Sequence, residues 1–270
     1  MSTVKTLSLG DRMKLYERAL DTKLNPCMNY MIRLDGKNFS KLTKRWPLKK
    51  PFDKNFNEAM NAAAQSLFQL IPNIKLAWHG SDEISVWFIF PDAGNPFFDG
   101  RIQKIVSLAA SKASVAFNMK FQQLIGKDIE FGIFDARIMQ FPTEIEAMNC
   151  FIFRQRDCIR NSISGFAEDY FSSKTLLNKN SDEKIQMLNT INGFNFDKVE
   201  CWTKFGTFIH KKMFEIKQES GESYIRTGYI DTSFKINNIT DFENFLNTTK
   251  EIEHITEEQW ISIKNKHKEI

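Results

Sequence analysis

From Met28 to Met139 the apolar pattern switches between the two-residue period of a strand and the about 3.6-residue period of a helix. The order of those switches constrains the fold more than any other feature of the chain. Met28, Tyr30, Ile32 and Leu34 alternate with other residues as a half-buried strand that stops at Asp35-Gly36. Phe56, Met60, Ala63 and Leu67 then fall at helical spacing, until Pro72-Asn73 breaks the helix. Leu76-Ala-Trp-His79 and Ile84 to Phe90 read as two strands of a hairpin, joined by Gly80-Ser-Asp-Glu83. A second helix carries Ile102, Ile105, Val106, Ala109, Ala113 and Phe117 on one side, and Ile129 to Met139 closes the series as a strand. Strand, helix, strand, strand, helix, strand is the βαββαβ order of a ferredoxin-like α+β fold.

By analogy with that fold, the first and third strands lie side by side and antiparallel in the centre of the sheet. The end of the first then meets the start of the third. Asp35 is thereby expected beside the turn carrying Asp82 and Glu83, although Asp35 and Asp82 are 47 positions apart.

The remainder of the chain reads as mostly helical, with strands near its end. Residues 11–20 form a short amphipathic helix ahead of the first strand. Thr143-Glu-Ile-Glu146 and Thr256-Glu-Glu-Gln259 are capping boxes that open helices, and strand-like pieces run from about Phe205 to Phe234. No Pro/Gly/Ser-rich linker separates the halves. Residues 1–140 are expected to form the catalytic unit, and residues 141–270 a helical and strand-containing region packed on it.

Composition excludes more than it assigns. Of 270 residues, 42% are hydrophobic and 26% charged, which is incompatible with wholesale disorder. No apolar run approaches the roughly 18 residues of a membrane span. Four widely spaced cysteines form no CxxC pair and only four histidines are present, so a Cys/His zinc site is not expected. No apolar leader follows Met1, which predicts a cytoplasmic protein with an organellar location left open. A net charge of +4 commits to nothing until it is placed. Residues 37–54 hold seven Lys/Arg (Lys37, Lys41, Lys44, Arg45, Lys49, Lys50 and Lys54) against Asp53 alone, immediately after Asp35. The acidic stretch 241–270, with seven Asp/Glu against four Lys, hides that patch in the total.

Asp35, Asp82 and Glu83 offer hard oxygen ligands, with the Gly36 carbonyl beside them. Mg²⁺ favours such a set, a few carboxylates completed by phosphates and water. Two metal ions can activate an attacking hydroxyl and stabilise a leaving phosphate. Basic residues alongside suit a triphosphate or a nucleic-acid backbone. Gly36 permits a sharp turn that would aim the amides of Lys37, Asn38 and Phe39 at phosphate oxygens. Arg101 and Lys104 add charge near a helix start already favourable to anions. Taken singly, each feature has an ordinary reading: Asp-Gly a turn, the lysines a solvated surface, Arg154, Asp157 and Arg160 exposed helical ion pairs.

Together the motifs are more specific. Arg33-Leu-Asp-Gly-Lys-Asn-Phe39, Lys50-Pro-Phe-Asp53, Gly80-Ser-Asp-Glu-Ile-Ser85, Phe134-Asp-Ala-Arg137 and Arg154-Gln-Arg-Asp157 occur in the order and spacing of the tRNA-His guanylyltransferase family. The resemblance covers about residues 8–170. It implies a palm of the polymerase and cyclase type, and nucleotide addition to tRNA 5′ ends in the 3′-to-5′ direction after activation by ATP or GTP. Carried onto this chain, it makes Asp35, Gly36 and Asp82 the ligands of two Mg²⁺ ions, with Glu83 in support. Residues Asp35, Gly36, Lys37, Asn38, Phe39 and Ser40, with Ser81 and Asp82, would line the nucleotide site. Lys50, Arg101, Lys104 and Asn161 match positions tied to phosphate or activation chemistry. The resemblance further implies homo-oligomers, often tetramers.

Members that add the extra G to tRNA-His carry His-Ile-Asn-Asn-Leu-Tyr-Asn where this chain has Ile159-Arg-Asn-Ser-Ile-Ser-Gly165, and many have His at the position of Ser40. With the Leu9-Gly-Asp-Arg-Met13 opening, these departures resemble the guanylyltransferase-like proteins that rebuild truncated tRNA 5′ ends on a template. Template-dependent repair is therefore expected over strict addition of G to tRNA-His. A nucleotide cyclase and a non-catalytic RNA-recognition module share the strand order. The latter would need an RNP1-like pattern, which Ile84-Ser-Val-Trp-Phe-Ile-Phe90 lacks.

Overall fold

The computed structural model describes residues 7–126, 129–218 and 220–266. After helix α1 (Leu9–Arg18), the chain forms β1 (Asn29–Gly36), the single-turn α2 (Phe39–Leu42), α3 (Lys54–Leu70), β2 (Ile74–Gly80), β3 (Glu83–Phe88), α4 (Ile102–Ile125) and β4 (Phe134–Phe141). The long α5 (Glu144–Tyr170) follows, then α6 (Ser173–Leu176), α7 (Ser181–Asn189) and α8 (Cys201–Phe205). The chain ends in β5 (Thr207–Lys217), β6 (Ser223–Thr232), α9 (Ile239–Lys250), β7 (Glu253–Thr256) and α10 (Glu257–Lys266). The described residues thus carry the expected βαββαβ order.

All the strands join one sheet, in the order β4-β1-β3-β2-β5-β6, with β7 parallel to β5. The central antiparallel pair is the expected one, and its register sets Asp35 directly opposite Glu83. On the other side of β1, Asp35 pairs with Asp135 of β4.

Alternation explains the layers. Tyr30, Ile32 and Leu34 of β1, with Ile84, Val86 and Phe88 of β3, face α3 and α4 in one core. Met31, Leu76, Trp78 and Trp87 face α5 and α9 in a second core on the opposite side. Every residue of β3 is buried, which accounts for its nearly unbroken apolar run. Small side chains (Ala59, Ala63, Ala109 and Ala113) let α3 and α4 pack closely over the sheet.

Strand β4 starts five residues later than the sequence pattern suggests, at Phe134 rather than Ile129. The cause is Asn118, whose amide donates to the Gly132 carbonyl while its Oδ1 accepts from the Gly132 amide, at 2.7 and 2.8 Å. Those bonds hold the backbone against α4, and ladder pairing begins only opposite Gly36.

The C-terminal strands extend this same sheet: β5 pairs with β2 through Ala77↔Ile209 and Trp78↔Phe208. Gln155 of α5, 1% exposed, ties the two parts together. Its amide donates to the Phe205 and Phe234 carbonyls at 3.1 and 2.9 Å, and its Oε1 accepts from the Ile236 amide at 2.7 Å.

His79, on β2, is 1% exposed, and its Nε2–H donates to Asn61 Oδ1 at 2.7 Å. Burial pushes its pKa down to about 4, with the charge of Asp231 opposing weakly. The unfolded chain therefore binds a proton at this ring that the folded chain refuses between about pH 6.5 and 4. The resulting stability is complete above that window and is lost as the pH falls through it. The difference in unfolding free energy between wild type and His79→Gln should shift by about 2 kcal/mol against the wild type from pH 7 to pH 5. Denaturant titrations at both pH values check this; a difference independent of pH contradicts it.

Candidate active site

The end of β1 and the β2–β3 turn meet as the register requires. The Gly36 amide donates to the Asp82 carbonyl oxygen at 3.0 Å, which locks the two segments together. Ser81 turns the hairpin in the left-handed region, φ 54°, and its hydroxyl donates to Asp82 Oδ1 at 3.2 Å. Burial raises the pKa of Asp82, and the like charge of Asp35 raises it further. Two carboxylates thus share a partly desolvated site. Among the described residues neither has a Lys or Arg partner, whereas nearby Glu83 is paired with Arg154 and Asp135 with Arg137.

That contrast fits a divalent cation. Asp35, Asp82 and the Gly36 carbonyl supply hard oxygens, and a cation would relieve the repulsion that burial amplifies. Among the described residues, no cluster of three or more His, Cys, Asp or Glu forms a ready cage. Mg²⁺ does not need one when substrate phosphates and water complete its shell.

Glu83 faces α5. Arg154 clasps its carboxylate in a bidentate fork, Nε to Oε1 at 2.7 Å and Nη2 to Oε2, while Arg154 Nη1 reaches Asp157 Oδ2 at 2.6 Å. The side chains of Arg154 and Glu83 are 18% and 10% exposed, so Arg154 and Asp157 are not the surface ion pair that their spacing suggests. Arg160, which closes onto Asp157, is exposed.

Gly36 is needed for a reason other than a sharp turn. Its φ is not in the left-handed region, but a Cβ there would meet the Phe39 ring at 2.5 Å. Phe39, 1% exposed, packs against Trp46, Phe117 and Phe134. Of the amides expected to face phosphate, that of Lys37 is already spent on the Ile133 carbonyl at 2.7 Å. Those of Asn38 and Phe39, at the start of α2, carry no hydrogen bond among the described residues.

A cleft of about 460 Å³ opens beside Asp82, between the 43–53 loop and α5. Of the expected residues it gathers Phe39, Ser40, Lys50, Ser81, Asp82 and Asn161. Lys44, Lys49 and Lys50 stand on one wall; Arg45 and Lys54 are turned to Glu130 and Glu200 instead. The loop is pinned by Asp53, which caps α3 at the Asn55 and Phe56 amides and accepts from the Lys49 amide at 2.9 Å. Phe52 packs on α5 through Phe166, with ring centroids 5.2 Å apart.

Arg101 and Lys104 are not brought to this cleft within one chain. They start α4, whose 24 residues run about 36 Å before the chain enters β4 beside Gly36. Arg101 instead lies 3.8 Å from Asp21, and Lys104 sits over the Phe98 ring. Sequence reasoning missed the opposite wall, Glu168, Asp169 and Trp202. A Trp in a five-residue helix far along the chain carries no signal that it returns to the β2–β3 turn.

The profile of the tRNAHis guanylyltransferase family matches residues 10–142. The tRNA(His) guanylyltransferase of Debaryomyces hansenii is 30% identical over 211 residues, covering 73% of this chain and 78% of that protein. Among solved structures, a bacterial tRNA(His) guanylyltransferase-like protein in complex with ATP superposes with a TM-score of 0.76. It is 32% identical, and the match covers 90% of this chain and 99% of that one. A bacterial guanylyltransferase-like protein in complex with GTP matches with a TM-score of 0.72 at 30% identity, over the same shares of each chain.

Proposed function

The chain belongs to the tRNA-His guanylyltransferase family of nucleotidyltransferases, and on that premise we propose that it adds nucleotides in the 3′-to-5′ direction to the 5′ end of tRNA, as template-dependent repair. The observation that carries this reading is the Asp35–Asp82 pair, without a cationic partner among the described residues, whose Asp82 lines a cleft walled by Lys44, Lys49 and Lys50.

Asp35, Asp82 and the Gly36 carbonyl would hold Mg²⁺, two ions in the full reading. When bound, the metal lowers the charge cost of a hydroxyl attacking a phosphate. The chain's own residues do the rest. The free amides of Asn38 and Phe39 and the lysines of the 43–53 loop bind and orient triphosphate oxygens. Ser40, Ser81 and Asn161 offer neutral hydrogen bonds around the same volume. Glu83 acts at one remove: its carboxylate is spent on Arg154, and the pair positions the β2–β3 turn against α5. Arg101 and Lys104, at the far end of α4, would meet phosphates away from this cleft.

Strict addition of G to tRNA-His is the second reading. Ser40 and the Ile159–Gly165 segment favour repair, because both depart from the guanylyltransferase pattern within or beside the cleft. We also read residues 1–140 as the catalytic palm, with 141–270 packed on it, and the protein as a cytoplasmic homo-oligomer, a tetramer by family resemblance. Among the described residues no helix is long and apolar enough to cross a membrane.

The deciding experiment supplies tRNA lacking its first 5′ nucleotide with each labelled triphosphate in turn, with and without a chelator. Repair predicts incorporation only of the nucleotide complementary to the acceptor strand, and only with Mg²⁺. Addition of G alone, to intact tRNA-His alone, would establish the second reading. Undiminished transfer in chelator would overturn the metal assignment.

A further inference from the structure

A second hollow, of about 400 Å³, lies between the β5–β6 pair and α9, and shares no lining residue with the cleft. Its aromatic wall is Phe245, whose ring centroid lies 4.7 Å from that of Phe234 and 5.6 Å from that of His210. His210 and Thr232 stand on the same face of the sheet, in register with Ile230 and Phe208.

Three polar groups of this hollow are unspent, whereas the Thr248 hydroxyl donates to the Phe245 carbonyl at 2.7 Å. Thr232 Oγ1 is buried and has no hydrogen-bond partner among the described residues. His210 is 4% exposed, and its Nδ1 lies 3.2 Å from the Lys211 carbonyl, which can only accept. Nδ1 therefore carries the proton of the neutral ring, and Nε2 presents a lone pair with no partner among the described residues. Burial lowers the pKa of this ring and keeps it neutral. At the rim, the Asn244 carboxamide makes no hydrogen bond among the described residues. The lysine here is not free: Lys212 Nζ is 2.8 Å from Glu253 Oε2.

These groups define a complement. The ligand must bring a donor to His210 Nε2, a donor or acceptor to Thr232, and a partner for an amide. It must be flat enough to lie against Phe245 and uncharged, because Lys212 at the mouth already has Glu253 as its counter-ion. A nucleobase satisfies every condition: it is planar and neutral, and its edge mixes N–H donors with ring-nitrogen and carbonyl acceptors. The volume falls in the usual range for small-molecule sites, about 300–1,000 Å³.

We propose that the hollow between β5, β6 and α9 is a second nucleobase-binding site, separate from the Asp35–Asp82 cleft, that takes one base either as a free nucleoside or unstacked from a single strand. This goes beyond the reading of the cleft and stands without it.

Calorimetric titration of the full chain with adenosine, guanosine, cytidine and uridine, and with a short mixed-sequence single-stranded RNA, tests it. At least one probe should bind. Thr232→Val and Asn244→Leu should each weaken that binding by about tenfold, with the unfolding midpoint and nucleotide transfer in the cleft unchanged. Loss of nucleoside binding in the variants identifies a free ligand, and the same loss seen only with RNA identifies a strand-borne base. The proposal is overturned if no probe binds, or if binding persists undiminished in both variants, which would assign it to the cleft. Should Thr232→Val fail to fold, Asn244→Leu on the exposed rim still decides. Failure of the transfer assay with survival of this binding would strike the cleft reading alone.

Discussion

Asp82→Asn should abolish nucleotide transfer, by about 10³-fold or more, and should at the same time stabilise the metal-free protein. The first effect follows from removing one of two anionic oxygen donors at the point where phosphate charge must be neutralised. The second follows from electrostatics in the free protein. Burial and Asp35 hold the Asp82 pKa above its ordinary value, so the ionised side chain is a liability at neutral pH. The folded state binds a proton at Asp82 more tightly than the unfolded chain, so this group lowers stability at pH above its folded pKa. The penalty fades as the pH falls through that value. Asparagine removes the charge and keeps the shape, for a gain on the order of 1 kcal/mol at pH 7 in chelator that shrinks toward pH 4. Mg²⁺ should reverse the order, because it stabilises only the chain that binds it. Denaturant curves with chelator and with Mg²⁺, beside a transfer assay, read all three effects. A variant less stable than wild type in chelator, or one that keeps its turnover, would refute the account.

The largest loss of stability is expected at Arg154. Replacing it with Leu leaves Glu83, 10% exposed on its side chain, as a buried carboxylate close to Asp35 and Asp82 with no counter-charge. Breaking a buried pair from one side costs about 3–5 kcal/mol. The double variant Glu83→Gln/Arg154→Met removes both charges and should recover most of that loss, because the desolvation cost of the pair disappears with it. Activity separates the roles. If Glu83 only positions the turn through Arg154, the double variant regains a substantial share of transfer together with its stability. If Glu83 meets the reacting groups itself, stability returns and transfer does not. A stable Arg154→Leu protein would show that the fork contributes little.

The βαββαβ unit is legible because its signals are local. Period-two alternation locates β1 and a short apolar run locates β3, and the ferredoxin-like order makes them neighbours; Asp35 beside the turn carrying Asp82 and Glu83 then follows without any long-range information, and the register sets it opposite Glu83. What stayed hidden depends on contacts distant in sequence or on direction. The Arg154–Glu83 fork spans 71 positions, and nothing in an Arg-x-x-Asp spacing says whether the pair is buried. Charge at a helix start and the family resemblance group Arg101 and Lys104 with the phosphate site, but neither says which way α4 runs, and its length carries them to the opposite end of the sheet from Asp35. Gly36 was correctly singled out for the wrong physical reason, since the Phe39 ring rather than a turn excludes a side chain. Strands β5 and β6 were visible as strands, but not as an extension of the same sheet, because pairing to β2 leaves no mark on their own residues.

That extension has a consequence for access. Every strand after β4 is added beyond β2, so the sheet grows in one direction only. The far border, β4, remains an edge one strand away from Asp35, and the exposed Asp135–Arg137 pair on it discourages another chain from adding itself there. The C-terminal strands have enlarged the sheet without covering the β4 border beside Asp35, while α5 and Trp202 of the same region wall only the cleft on the Asp82 side. Along that border a substrate would meet one exposed strand, next to the one that carries Asp35, and no strand of the C-terminal region.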